Sequence, residues 1–182
     1  MRSPVRPNGA PVTVRDILQI GHPVLRQQAR PLAPAEVATA DVQRLVDDLV
    51  DTMRAADGAG LAATQVGEAV QVCVAEVRPG NPRYPYKPAI PLTVLVNPQI
   101  ETLTAETFAN YEGCLSVPGL RGVVERAVEV RVRALDRHGA PLAPAVRRAG
   151  RGPGPAPRRP ARRRRAGPAP TGSPRSWRTS RP

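Results

Sequence analysis

The sequence predicts an α+β fold in which mainly antiparallel sheets surround one helix. Three observations lead to this prediction. Apolar residues recur with helical spacing between residues 42 and 53, later segments alternate between apolar and polar residues, and hairpin-type connections link them. At 182 residues the chain is long enough to bury the core of one ordinary domain.

The helix is predicted over residues 41–54. Its apolar positions fall at i, i+3, i+4, i+7, i+8 and i+11, on one face of a 3.6-residue period. These positions are Val42, Leu45, Val46, Leu49, Val50 and Met53. Gly58 follows at a position typical of the residue that stops a helix.

The strands are predicted from alternation. Valines at every second position of residues 70–74 indicate one strand, and LTVLVNP indicates another that closes at Asn-Pro. Residues 128–134 alternate in the same way, and DRHG at 136–139 is typical of the turn of a hairpin. The proline-rich segment 79–91 between the first two strands is predicted to be an extended loop.

The net charge of +12 is confined to one part of the chain. Residues 1–142 contain 15 basic and 15 acidic side chains, whereas residues 143–182 contain the other 12 basic residues, all arginine, and no acid. This second segment is rich in Pro, Ala and Gly and has few apolar residues to bury, so we expect disorder. The sequence therefore predicts a domain at 1–142 and a tail at 143–182.

The sequence also indicates where the protein works. The first residues have no apolar segment of the kind found in secretory signals, and no apolar run approaches the length of a membrane span. Two cysteines do not make a disulfide framework. We therefore expect a cytoplasmic protein with reduced thiols and no membrane partner.

Two short motifs are candidates for chemistry. GAGLAATQ at 58–65 could let a ligand approach the backbone at its glycines, or could simply end a helix. EGCLS at 112–116 contains Cys114, which could be a nucleophile, a metal ligand, half of a disulfide with Cys73, or a buried small residue. The two histidines, His22 and His138, lie in predicted turns and are weak candidates for a catalytic base.

Taken together, the two motifs are far more specific than either is alone. GxGxAAxQ followed about fifty residues later by EGCLS resembles peptide deformylase, and GHPVLR near the start and the RYPY loop are similar to members of that family. The resemblance covers roughly residues 15–142. It implies a peptide-deformylase-like fold and cytoplasmic removal of the formyl group from the initiator methionine of nascent proteins.

The resemblance also implies a site. In the family, a divalent metal, usually Fe²⁺, is held by the EGCLS cysteine and by two histidines of an HExxH helix, and metal-bound water attacks the formyl carbon. Cys114 would then be a metal ligand. The Gln65 amide and the Leu115 backbone N–H would stabilise the oxyanion. Gly60, Leu61 and Glu112 would bind the substrate. The expected partners are formyl-Met nascent peptides and the ribosome.

One element of the family pattern is missing. The HExxH helix should lie near residues 156–160, where this sequence reads APRRP, with two prolines that prevent a helix. The fold is therefore expected to be truncated at its C-terminal helix. The metal ligand set is incomplete, and deformylase activity is predicted to be impaired or absent.

Two other functions compete with this interpretation. The run RRPARRRR at 158–165 could bind nucleic-acid phosphates, non-specifically or on the ribosome. A pseudoenzyme that binds formyl-Met peptides through Gly60, Gln65 and Leu115 is the third hypothesis.

The abrupt change in composition suggests that the reading frame shifts near residue 142. Ala, Arg, Pro and Gly, which dominate the tail, have GC-rich codons, as expected when GC-rich DNA is read out of frame. The DNA sequence tests this hypothesis: another frame beyond codon 142 should encode an HExxH helix, and the hypothesis is wrong if neither does.

Overall fold

The structure of the protein, a computed structural model, describes residues 11–85 and 87–147. Its helices are α1 (Pro34–Val37) and α2 (Ala40–Ala55), with 3-10 helices at Pro23–Arg26 and Ala63–Val66. The strands within the described residues are β1 (Gly60–Ala62), β2 (Val72–Val77), β3 (Ile90–Thr102), β4 (Thr107–Cys114), β5 (Val117–Ala127), β6 (Glu129–Leu135), β7 (Pro141–Leu142) and β8 (Ala145–Arg147). The predicted α+β class is confirmed.

The strands form two antiparallel sheets. The larger has the order β1-β2-β3-β6-β7, and β8 also pairs with β6. The smaller consists of β4 and β5 alone. Pairing of β7 and β8 with β6 follows one register, because Ala134 faces Leu142 and Arg131 faces Ala145. The two short strands are therefore successive parts of one return path along β6.

The predicted helix is confirmed as α2. The Thr39 side chain caps its first turn by accepting a hydrogen bond from the Val42 N–H. The residue that ends it differs from the prediction, since Asp57, with φ of 50°, adopts the left-handed conformation after the helix. Gly58 instead avoids a clash, because a Cβ there would lie 3.0 Å from the Leu115 Cδ1 atom.

The core lies between α2 and the larger sheet. Its fully buried side chains include Val46, Leu49 and Met53 from α2 and Val72, Val74 and Val96 from β2 and β3. Burial of a Val, Leu or Met side chain contributes roughly 1.5–3 kcal/mol. Burial of the apolar face of α2 therefore contributes strongly to the stability of this part of the chain.

The segment LTVLVNP does not end as predicted. β3 continues through Asn97 and Pro98 to Thr102, with a register shift against β6 between Val96 and Gln99. Asn97 has φ of 51°, so the strand bulges there. Its amide donates to the Leu32 carbonyl and accepts from the Leu32 N–H, both at 2.8 Å. Asn97 thus fastens the N-terminal segment to the sheet.

The predicted hairpin turn at 136–139 is confirmed. The Asp136 carboxylate accepts hydrogen bonds from the His138 and Ala140 N–H groups, and Gly139 has φ of 83°. The return strand is β7. The predicted loop connects β2 to β3, and its Asn81 is buried.

The predicted tail begins within the described residues. Residues 145–147 were assigned to it from composition, yet they form β8, because their backbone can pair with β6 whatever their side chains are. Residues 148–182, including the predicted phosphate-binding run at 158–165 and the position expected for a C-terminal helix, lie outside the described range. No helix in the described part of the chain is long and apolar enough to cross a membrane.

The role of Asn97 leads to a stability prediction. Asn97→Ala removes two hydrogen bonds to a buried backbone unit and leaves alanine in a left-handed conformation, so we expect the free energy of unfolding to fall by about 2–4 kcal/mol. Urea unfolding at pH 7 measures this loss. The control is Gln99→Ala at an exposed position of the same strand. A loss below about 0.5 kcal/mol for Asn97→Ala would contradict the assigned role.

Candidate functional site

The Gln65 side chain joins the two sequence motifs. Gln65 lies in the 3-10 helix that follows β1, and its Oε1 atom accepts a hydrogen bond from the Ala62 N–H at 3.0 Å. That bond turns the amide nitrogen towards the other motif. Gln65 Nε2 lies 3.0 Å from Ser116 Oγ and 3.6 Å from Cys114 Sγ, although these residues are about fifty positions away in sequence.

The N-terminal segment holds both motifs in place through its backbone. The Leu18 N–H donates to the Gln65 carbonyl, and the Ile20 N–H donates to the Ser116 carbonyl, each at 2.8 Å. Ser116 is buried. The distance between the two motifs is therefore set by backbone hydrogen bonds as well as by the Gln65 amide.

Cys114 lies at the end of β4, where the β4–β5 hairpin turns. It pairs with Val117, and the register shifts between Gly113 and Cys114. The thiol is exposed, and Cys73 is separately a free thiol inside β2. Burial raises the pKa of the Cys73 thiol, which keeps it protonated and inert. Because both cysteines are free thiols, the disulfide considered as an alternative does not exist in this structure.

The remaining predicted site residues occupy different environments. Leu115 packs partly against the core, next to Gly58. Gly60 is exposed and pairs with Ala75 of β2, and the Leu61 side chain is buried at 2% exposure. Only the backbone of Leu61 could contact a ligand. The assigned roles of Leu115, Gly60 and Leu61 stay predictions.

Glu112 is engaged by its own hairpin. Its two carboxylate oxygens accept hydrogen bonds from Arg126 at 2.8 and 2.7 Å, and one of them also accepts from the Asn110 amide at 2.9 Å. The hydrogen bond from Arg126 is the largest influence that lowers the pKa of Glu112, and the charge of Lys87 adds to it. Sequence analysis assigned Glu112 to substrate binding and missed this ion pair.

A pocket of about 420 Å³ opens beside Cys114. It is bounded by the β4–β5 hairpin and by the loop before β3. Its lining residues are Arg83, Tyr111, Cys114, Leu115, Val117, Pro118, Gly119, Leu120 and Arg121. The pocket is lined by apolar residues and by two arginines, and sequence analysis identified only Cys114 and Leu115 among its members.

The residues around Cys114 do not fit a three-ligand metal site. His22 lies in a turn, where its Nδ1 atom accepts from the Val24 N–H, and His138 lies in the β6–β7 turn. Glu112 is held by Arg126. Across residues 11–85 and 87–147, no group of three or more His, Cys, Asp or Glu side chains could hold a metal ion. Of the ligands predicted for Fe²⁺, the Cys114 thiol is thus a candidate without two further side chains beside it in the described part of the chain.

Comparison with known proteins places these features in one family. A family model described as polypeptide deformylase matches residues 14–147. A peptide deformylase of Leptospira biflexa is 42% identical over 127 residues, which are 70% of this chain and 71% of the relative. Peptide deformylase 2 of Ralstonia nicotianae is 46% identical over 126 residues, or 69% of this chain and 70% of the relative.

Solved structures give the same result. A class I type b peptide deformylase from Acinetobacter baumannii, bound to Met-Ala-Ser, superposes with a TM-score of 0.70 at 35% identity and covers 74% of this chain and 84% of that one. A peptide deformylase from Synechococcus elongatus in complex with actinonin gives a TM-score of 0.63 at 30% identity, covering 80% of this chain and 69% of that one. The expected type of fold is thereby confirmed.

The Glu112–Arg126 pair gives a prediction of pH dependence. Because Arg126 lowers the pKa of Glu112 in the folded chain, the pair stabilises the fold above the pKa of an unfolded glutamate, about 4.3, and this contribution is lost as pH falls through the lower folded pKa. Glu112→Gln should lower the Tm by about 1–3 °C at pH 7, and this difference should shrink progressively as the pH falls below about 4.

Thermal unfolding of both proteins between pH 3 and pH 7 measures this effect. The matched control is Glu125→Gln, which changes the same charge in the same hairpin at a residue without an ion pair in the described structure. If the effect of Glu112→Gln were independent of pH, the carboxylate charge would not be what stabilises the hairpin.

Proposed function

This chain belongs to the polypeptide deformylase family, and we propose that its site takes N-formyl-methionyl peptides but hydrolyses them very slowly. The observation that carries the proposal is the Gln65–Cys114–Ser116 cluster, whose Cys114 lines a pocket. It supplies hydrogen-bond donors and an open cavity. It does not supply the second and third metal ligands or a free carboxylate.

The hydrogen-bond donors support binding and polarisation of a formyl group. Gln65 is oriented by Ala62, so its amide nitrogen is fixed before a ligand arrives. Together with the Leu115 backbone N–H it would donate to a formyl oxygen as charge develops there. Donors of this kind increase the rate of acyl transfer by about 10²–10³-fold. Both assignments are part of the proposal.

The lack of a base supports slow turnover. Water attacks a formyl carbon efficiently only when a group accepts its proton. Such general-base catalysis increases the rate by about 10²–10⁴-fold. Glu112 is the carboxylate of the cysteine motif, and Arg126 lowers its pKa and holds both of its oxygens. It is a poor proton acceptor for that reason. No HExxH motif occurs in the sequence to replace it.

A bound metal would normally supply the attacking hydroxide. The Cys114 thiol alone does not make a chelating site, because structural and catalytic sites for such metals use three or four protein ligands. We therefore include weak metal binding in the proposal. The place of action, on formyl-Met nascent peptides in the cytoplasm and near the ribosome, is likewise proposed from family membership.

The test is a combined measurement of metal content and turnover. Full-length protein purified without chelators should contain well under one equivalent of iron or zinc. Its kcat/KM for formyl-Met-Ala-Ser should be at least about 10²-fold below that of a relative with a complete HExxH motif. Cys114→Ala should change neither value further.

Two results would contradict the proposal. One is near-stoichiometric metal that is lost in Cys114→Ala. The other is turnover comparable to that of the complete relative. A relative carrying a His→Ala change in its HExxH motif is the matched control, because it retains the pocket and loses a ligand.

A further inference from the structure

Two arginines that line the pocket have no acidic partner among the residues that the structure describes. Arg83 comes from the loop before β3, and Arg121 comes from β5. Most other arginines of the described residues form ion pairs, including Arg54 with Glu76 and Arg137 with Asp47. Within the same residues, neither Arg83 nor Arg121 has a carboxylate within 4.0 Å; Arg83 makes one long hydrogen bond, 3.5 Å, to the Ala56 carbonyl.

The position of Arg83 is fixed by its neighbours. Asn81, which is 4% exposed, donates to the Asp57 carbonyl at 3.3 Å, and its Oδ1 atom accepts from the Arg83 N–H at 2.9 Å. These bonds attach the loop to the end of α2, where carbonyl groups favour positive charge. Arg83 is therefore held beside the pocket.

Arg121 is positioned by the hairpin. It faces Gly113 across the strands, and a Cβ at Gly113 would lie 3.2 Å from the Arg121 Cγ atom. The missing side chain of Gly113 leaves room for the stem of Arg121 to cross the sheet. The only nearby carboxylate of the cysteine motif, Glu112, is already bound by Arg126. The guanidinium of Arg121 is thus available to a ligand.

Apolar side chains, two of them well exposed, also line the pocket. Tyr111 is 57% exposed and Leu120 is 69% exposed, and both line the cavity with Val117 and Pro118. Isolated exposed apolar residues are ordinary, but here they share one cavity with two unpaired cations. A complementary ligand has an apolar part and a carboxylate within reach of it.

We propose that the pocket selects peptides carrying an acidic side chain downstream of the formylated methionine, and that Arg83 and Arg121 determine this preference. The inference rests on the proposed function in one respect, which is that formyl-Met peptides enter this pocket. Guanidinium groups bind carboxylates with two parallel hydrogen bonds, so a side-chain carboxylate is a better match than an amide of the same shape.

Calorimetric titration of the full-length chain tests the proposal. The ligands are three C-terminally amidated peptides, formyl-Met-Ala-Asp, formyl-Met-Ala-Asn and formyl-Met-Ala-Lys. In low salt we expect the Asp peptide to bind about 3–10-fold more tightly than the Asn peptide, with the Lys peptide weakest. The preference should shrink as salt is added, because the arginines are partly exposed.

Variants assign the preference to the pocket. Arg83→Gln and Arg121→Gln should each reduce the Asp/Asn ratio, and the double variant should bring it to about one. The control, Arg44→Gln, makes the same change of net charge at an exposed residue of α2 and should leave the ratio unchanged. This control also accounts for attraction by the arginine-rich tail, which every variant retains.

A further peptide separates two sources of the carboxylate. Formyl-Met-Ala-Asn with a free C-terminus should bind more weakly than the amidated Asp peptide. If it bound equally or better, the site would read a chain terminus and the proposal would be wrong.

Other outcomes also decide the matter. Equal binding of the Asp and Asn peptides overturns this inference but leaves peptide binding, and hence the proposed function, intact. Equal loss of the preference in Arg44→Gln overturns it too. The metal and turnover measurements test the proposed function and do not depend on the third residue of the peptide. Their outcome can therefore contradict the proposed function separately from this inference. Absence of binding by every peptide overturns both proposals.

Discussion

The packing of α2 against β2 and β3 is the constraint on which the other features depend. Leu49 and Met53 are fully buried there, and so are Val74 and Val96 on the facing strands. Once this layer is formed, β1 must follow α2 closely and lie beside β2, and the 3-10 helix that carries Gln65 begins where β1 ends. The position of the polar site is therefore a consequence of apolar burial some residues away.

The same layer supports the hydrogen bonds that position the site. Gln65 is oriented by the Ala62 N–H, and the cysteine hairpin is attached through Ser116 to the N-terminal segment. These hydrogen bonds use groups that lie before residue 142. The organisation of the pocket is thus encoded by residues that precede the arginine-rich segment.

Sequence reasoning succeeded where burial dictates the pattern. α2 and β2 each have one face against the core, so periodicity located them. Alternation also located β6, of which only Ala134 is buried, and the turn chemistry of DRHG located the β6–β7 hairpin. It did not locate the β4–β5 hairpin, because both strands are largely exposed and no core imposes alternation on them. The Asn97 bulge and the contact of Gly58 with Leu115 depend on partners far away in sequence, which local patterns do not encode.

The contact between α2 and the β6–β7 turn affects how the chain folds during synthesis. The Gln43 amide donates to the Arg137 carbonyl at 2.7 Å and accepts from the Arg137 guanidinium, across 94 positions. At about 5–20 residues per second, a ribosome needs on the order of 5–20 s to add that length. Contacts of such long range slow folding. The contact between Gln43 and Arg137 therefore forms only after this interval, whereas the residues of β2 and β3 that cover the buried face of α2 are synthesised sooner.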